Sequence, residues 1–228
     1  CTFTKKIDME HGADNPDTNA NGIGVYFEDN PTGQGVHHRS YTTGISLMMV
    51  CEAVELDRTV ELVWPDGSVV EMTYKEVAED TMNYLAWGQM DPLNGSSRGG
   101  WGYAGSDDGV FENPGGWDRS DNSNSGWVTL GLGFAEADAP QGCGFELPQF
   151  VKDELDIWID YIQNDVGVLD NPWCDNAWTA DCDGGSGYEG PDSWVNMLKT
   201  GNLLQQMALV GDTLGTTRVT DALDYLYR

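Results

Sequence analysis

The stretch Arg98 to Ala137, RGGWGYAGSDDGVFENPGGWDRSDNSNSGWVTLGLGFAEA, constrains the fold more than any other part of the chain, because its two halves recur. A Gly-Gly-Trp-Gly-Tyr turn leads into a polar loop rich in Asp and Asn, and the loop leads into an apolar segment holding Gly126, Gly131 and Gly133. The same order occurs at Gly22 to Phe27 followed by Tyr41 to Ala53, and again at Gly184 to Tyr188 followed by Trp194 to Val210. Repetition of one pattern predicts an array of supersecondary units, each burying its apolar face on the next.

Each unit is predicted to hold two kinds of helix. Thr42 to Val54, Trp127 to Ala137 and Trp194 to Val210 are apolar nearly all round, as expected of helices covered on every side. The stripes Val77, Ala78, Thr81, Leu85, then Val151, Leu155, Trp158, Ile159, Ile162, then Val219, Ala222, Leu223, Leu226 belong to one-sided helices. These share an ending at Asn83-Tyr84-Leu85, Asp160-Tyr161-Ile162 and Asp224-Tyr225-Leu226. Thr73-Tyr74-Lys75-Glu76 has capping-box spacing, and Pro148 suits a first helical turn. Glycine costs about 1 kcal/mol against alanine inside a helix, so Gly126, Gly131 and Gly133 imply a neighbour packed close to the backbone. Thr59 to Trp64 and Ser68 to Met72 alternate with period two around Pro65-Asp66-Gly67, which predicts a small β-hairpin. The expected fold is all-α and two-layered, with apolar helices lining a curved array and amphipathic ones outside. It forms a single domain over 1–228, with units at 13–91, 92–165 and 166–228 and the hairpin at 59–72, and is expected to be part of a longer polypeptide.

The chain carries 38 Asp and Glu against 11 Lys and Arg, a net charge of −27, which argues against nucleic acid or an anionic membrane as partner. No apolar run is long enough to span a bilayer, and no basic-then-apolar signal segment is present. Such a surface suits a secreted or cell-surface protein bathed in cations, or simply a solvated face that keeps the chain soluble.

Five cysteines leave at least one unpaired within the chain. Cys51, inside an apolar run, reads as a buried free thiol. Cys174 and Cys182 flank a short polar loop and suit a disulfide in an oxidising compartment. Cys1 fits either a lipid-modified residue or the start of a fragment.

Asp17-Thr18-Asn19-Ala20-Asn21-Gly22 fits D-x-[DN]-x-[DN]-G, and Glu28 completes the EF-hand loop spacing. Asp17, Asn19 and Asn21 are then side-chain calcium ligands, Ile23 a carbonyl ligand and Glu28 the bidentate one. No amphipathic helix precedes the loop, and Val25-Tyr26-Phe27 reads as extended, so an Asx turn capping its own backbone competes with calcium. His37 and His38 diverge as neighbours and make a poor chelate, so zinc is not expected. Two longer loops mix carboxylates with aromatics. The first holds Asp107, Asp108, Glu112, Asp118 and Asp121 with Trp117; the second holds Asp175, Asp181, Asp183 and Glu189 with Trp178. Asp107, Asp121, Asp175, Asp181 and Asp183 suit calcium, and Trp117 and Trp178 suit a sugar ligand. Trp101 and Trp127 read as hydrophobic plugs between units. Asn94-Gly95-Ser96 is an N-glycosylation pattern.

The GGWGY and GWVTLGLGFAEA blocks, paired with helices ending in Tyr-Leu or Tyr-Ile, resemble the repeats of the terpenoid cyclase and protein prenyltransferase superfamily, which implies an α/α toroid, here of about three helical hairpins. The chemistry of that superfamily does not carry over. The cyclase DxDD acid is missing, its nearest approaches being Ser106-Asp107-Asp108 and Asp181-Cys182-Asp183. Neither Cys174 nor Cys182 has the Asp two residues earlier that a zinc-binding transferase needs, and no His follows His38. Complement-type thioester domains share the toroid and carry GCGEQ; Gly142-Cys143-Gly144-Phe145-Glu146 begins similarly but ends in Glu146, which has no amide to lose. The resulting expectation is a non-catalytic extracellular structural or assembly module with calcium-binding acidic loops, without zinc or nucleotide, whose partners are other subunits, the rest of a larger chain, or glycans. An enzyme or binding module acting on polysaccharide or isoprenoid through loops 104–125 and 170–192 is the alternative.

Overall fold

A computed structural model describes residues 2–9, 14–28, 37–53, 55–107, 110–111, 119–167 and 181–228, with the side chains of Asp107, Val110 and Phe111 excepted. These form strands β1 (Thr2–Lys6) and β2 (Ile23–Phe27), helix α1 (Arg39–Glu52), strands β3 (Thr59–Val63) and β4 (Val69–Thr73), and helix α2 (Tyr74–Trp87). A 3-10 helix (Pro92–Ser97) follows, then the short strands β5 (Ser106–Asp107) and β6 (Val110–Phe111), and helices α3 (Asn122–Glu136), α4 (Gln149–Ile162), α5 (Met197–Val210) and α6 (Thr217–Tyr227). The molecule is predominantly helical. It is not all-α apart from one hairpin: besides the expected β3–β4, antiparallel pairs form between β1 and β2 and between β5 and β6.

The three apolar helices lie in a row, α1 against α3 and α3 against α5, while α2 packs on α1 and α3, and α4 and α6 pack on α5. Glycine sets the closeness of the first contact. A Cβ on Gly44 would stand 2.5 Å from the Trp127 carbonyl oxygen, and one on Gly131 would stand 2.3 Å from the Gly44 oxygen, so α1 and α3 touch backbone to backbone. Gly126 meets the Asn202 side chain in the same way, whereas Gly133 faces open space. Past the C-terminus of α3 the chain doubles back, with Cys143 N donating to the Phe134 carbonyl, and this return brings Cys143 onto α1. Cys51 is therefore not a free thiol: it forms a disulfide with Cys143 across a Cα–Cα distance of 5.1 Å. The apolar run around Cys51 signals burial, which a paired cysteine needs as much as an unpaired one.

Helix α2 begins as expected, with Thr73 and Glu76 exchanging both capping-box hydrogen bonds. Its second half departs from the one-sided pattern, because every residue from Asp80 to Trp87 is buried. The cause is β2, which lies on the side expected to face solvent; a Cβ on Gly24 would stand 2.9 Å from Tyr84 Cβ. Val25 joins Leu62, Met72 and Val77 in a small core that ties the β3–β4 hairpin to this face. The stripe on α4 is as expected, with Val151, Leu155, Trp158, Ile159 and Ile162 all fully buried. The tyrosines that end the amphipathic helices are not equivalent, since Tyr84 and Tyr225 are buried and Tyr161 is 36 % exposed. Nor are the two tryptophans: Trp101 is a core plug whose Nε1 donates to the Leu85 carbonyl at 2.8 Å, but Trp127 is 44 % exposed. Trp127 gives α1 its backbone and sends its ring outward, a consequence of the glycine contact that turns the helix.

The second and third units repeat one polar fastening. After α2, buried Gln89 donates from Nε2 to the carbonyls of Gly99 and Val151, at 2.8 and 3.0 Å. After α4, Gln163 donates from Nε2 to the carbonyls of Gly184 and Arg218, at 2.9 and 2.8 Å. Gly99 and Gly184 both have φ near +80°, the left-handed region that glycine enters at little cost. Each also presses on the next amphipathic helix, Gly99 on α4 and Gly184 on α6: a Cβ would meet the Glu154 carbonyl at 1.9 Å and the Asp221 carbonyl at 2.3 Å. The double glycine of the repeated turn is thus where one hairpin is fixed to the next.

Candidate functional site

The Asp-x-Asn-x-Asn-Gly loop closes on helix α2. Asp17 receives hydrogen bonds from its own loop, Gly22 N to Oδ2 at 2.7 Å and Asn21 N to Oδ1 at 3.3 Å. Asn21 Oδ1 accepts from Ile23 N at 2.7 Å, which turns the chain into β2. The amide groups of Asn19 and Asn21 reach across to Asp80, Asn19 Nδ2 at 2.6 Å from Oδ1 and Asn21 Nδ2 at 2.9 and 3.0 Å from the two oxygens. Thr18 Oγ1 lies 2.8 Å from Asn83 Oδ1 and 3.2 Å from Glu79 Oε1, so three residues of α2 face the loop. Beside them a polar pocket of about 510 Å³ opens between Asn15, Asp17, Thr18, Glu79 and the segment Phe145 to Gln149.

Asp80 dominates the electrostatics. It has no exposed surface, and burial pushes its carboxyl pKa up to about 6; the amides of Asn19 and Asn21 counter this, and the charges of Asp17 and Glu79 add to it. No Lys, Arg or His forms an ion pair with it among the described residues. The structure brings Asp17, Asn19 and Asn21 together but not Glu28. Five extended residues at about 3.3 Å each carry Glu28 to the far end of β2. There it is buried, bound to His37 Nδ1 and 3.2 Å from Arg39 Nε, and anchors the start of α1. Sequence reasoning missed Asp80, Glu79 and Asn83, because the stripe of α2 was assigned from its apolar residues alone; an Asp followed three residues later by Asn inside that stripe is the signal.

Of the two acidic and aromatic loops, Trp117, Asp175, Trp178, Cys174 and the side chain of Asp107 lie outside the described residues. Asp121 caps α3: Oδ1 accepts from Asn124 N at 2.8 Å and Ser123 Oγ at 2.7 Å, and Oδ2 from Asn124 Nδ2 at 2.6 Å. Burial raises its pKa, and those hydrogen bonds oppose the rise. Ser123 Oγ is also 3.2 Å from the Tyr188 hydroxyl, itself pushed up by burial and by the Asp121 charge. Asp181 pairs with Arg228, Asp183 Oδ2 accepts from Gly167 N at 2.8 Å, and Glu189 pairs with Arg119 at 2.9 Å. Cys182 is disulfide-bonded. Asn94 Oδ1 accepts from Asp91 N at 2.8 Å and Ser106 Oγ at 3.1 Å, and the Nδ2 that would carry a glycan is shut from solvent.

Among the described residues no three His, Cys, Asp or Glu side chains converge as a metal-binding group; the loop facing Asp80 supplies amides as well as carboxylates. No helix among them is long and apolar enough to cross a membrane. No protein-family model, curated protein or solved structure matches the chain.

Proposed function

We propose that this chain is a non-catalytic structural module of an extracellular assembly, built on helical hairpins of the α/α-toroid kind seen in terpenoid cyclases and prenyltransferases, with calcium held in its acidic loops. One observation carries the reading: the acidic loop residues Asp181, Asp183 and Glu189 are each engaged in a contact that fastens one segment to another, and Asp121 is spent on capping its own helix. Carboxylates so engaged hold a scaffold, whereas a catalytic pair needs oxygens aimed at a substrate. The repeated glutamine fastening supports an array that continues by the same joint, and the row α1, α3, α5 supports the toroid-type layering. The Cys51–Cys143 disulfide and the disulfide at Cys182 support an oxidising compartment, hence secretion or the cell surface. Its partners are further subunits or more of a larger chain, and glycans on neighbouring molecules.

Electron microscopy of protein from its native source, with and without chelator, tests this. Ordered sheets or filaments that disperse on chelation are expected; monodisperse particles indifferent to chelation overturn it.

A second reading is favoured by the Asp121, Ser123 and Tyr188 cluster, where a carboxyl with raised pKa lies one hydroxyl away from a tyrosine. On that reading the chain is an enzyme or binding module for polysaccharide or isoprenoid, and Asp121→Asn abolishes turnover in a substrate screen while preserving the α3 cap.

A further inference from the structure

We propose that Asp80 supplies the bidentate carboxylate of a calcium site whose other ligands are Asp17, Asn19, Asn21 and the Ile23 carbonyl, in place of Glu28. This deepens the calcium reading above and rests on it. An Asp-x-Asn-x-Asn-Gly loop presents side-chain oxygens at its first, third and fifth positions and a carbonyl at its seventh, but needs a further carboxylate to complete a sphere of six to eight oxygens. In an EF-hand the loop supplies that group itself, at its twelfth position. Here the twelfth residue, Glu28, is committed to His37 and Arg39 at the other end of β2. The carboxylate that faces the third and fifth positions belongs to Asp80, both of whose oxygens lie within 3.0 Å of the Asn21 amide.

The Ile23 carbonyl is available in this geometry. Ile7 N donates to the Gly22 carbonyl, so the Lys6 and Ile23 pair is one whose own peptide groups point away from the β1 ladder. Asn19 and Asn21 now offer Asp80 their NH2 groups. Their own oxygens accept from Asn21 N at 3.3 Å and Ile23 N at 2.7 Å; a half-turn about the last side-chain bond gives up those two hydrogen bonds, and the four amide and carboxylate oxygens it brings face to face are held only by a cation between them.

Asn83 gives an observation independent of the loop. It has no exposed surface, it faces the loop through Thr18, and its Nδ2 finds no acceptor among the described residues. With the same half-turn, Nδ2 donates to Thr18 Oγ1, which in turn donates to Glu79, and the amide oxygen takes the buried place where Nδ2 had no acceptor, ready to accept from a water on the ion. Asp17 and Asp80 together balance a divalent charge. A mixed set of amide, carboxylate and carbonyl oxygens on a loop suits the adaptable sphere of calcium better than the tight octahedron of magnesium.

The test is calorimetric titration of metal-free protein with calcium, with thermal unfolding alongside, on the wild type and on Asp80→Asn, Asp17→Asn, Glu28→Gln and Asp181→Asn. The wild type is expected to bind, and at a hundredfold excess over Kd to gain roughly 5–10 °C in Tm. Asp80→Asn and Asp17→Asn should each weaken this binding at least about tenfold. Glu28→Gln should leave the affinity unchanged. Without calcium, Asp80→Asn should melt no lower than the wild type, because it removes a buried charge; this separates a lost ligand from a lost fold. Full-strength binding by Asp80→Asn, with loss in Asp181→Asn or Glu28→Gln, overturns the site and leaves the calcium reading standing. A wild type that binds no calcium overturns both.

Discussion

A single carbon atom decides how α1 and α3 meet. Gly131 and Gly133 look alike in sequence, yet a Cβ on Gly131 would stand 2.3 Å from the Gly44 carbonyl and one on Gly133 would have nothing within 4 Å. Gly131→Ala pushes two backbones apart and is expected to destabilise by about 1–3 kcal/mol, as overpacking does. Gly133→Ala relieves only the entropy of a helical glycine and is expected to stabilise by about 0.5–1 kcal/mol. Urea unfolding of the two variants should therefore move in opposite directions. The sequence shows that something approaches this helix closely. Which glycine receives it depends on the rotation of α3 about its axis, and local sequence does not encode that rotation.

At the scale of elements, the unexpected fastener is the bond from Cys51 on α1 to Cys143 after α3, which closes a separation of 92 residues. Constraining the unfolded chain over such a loop contributes about 4–5 kcal/mol on the chain-entropy account. Cys51→Ala with Cys143→Ala should lower the unfolding free energy by several kcal/mol while leaving the helix content by circular dichroism intact. A drop below about 1 kcal/mol would mean that the packing of α1 on α3 suffices alone. The helix ends were legible where their chemistry is local, as with the Thr73 capping box and the stripe on α4. The start of α3 was not: its first turn, Asn122 to Ser125, is polar, and only the buried cap at Asp121 makes it helical. Strand β1 was missed for a related reason, since its partner β2 lies beyond an intervening loop and nothing within Thr2 to Lys6 announces it.

For the whole molecule, the charge of −27 follows from composition, but the pH dependence of stability turns on the carboxylates that folding buries, Asp80 among them. Asp80 binds its proton more tightly folded than unfolded, with a native pKa of about 6 against an ordinary 3.8. Between those values the native state holds the extra proton, so its contribution to stability is full below about pH 4 and lost as pH rises through 6. The loss is at most about 3 kcal/mol. Metal-free wild type compared with Asp80→Asn by urea unfolding at pH 4 and pH 7 isolates it: the variant should lack that part of the pH dependence, and identical slopes would show that Asp80 is not the group responsible.

The sequence by itself determined the class and rough bounds of most helices, the β3–β4 hairpin, and the loop at Asp17 to Gly22, because each is encoded by contacts within a few residues. It also carried the repeated double glycines, although their purpose, seating each turn on carbonyls of the next amphipathic helix, became visible only in three dimensions. Tertiary structure alone decided that β2 covers α2, that Cys51 meets Cys143, and that the loop faces Asp80 and leaves Glu28 to Arg39. The physical reason is distance along the chain. Asn21 and Asp80 are separated by 59 residues, and what joins them is the packing of a strand on a helix through a glycine, a contact that no local pattern specifies.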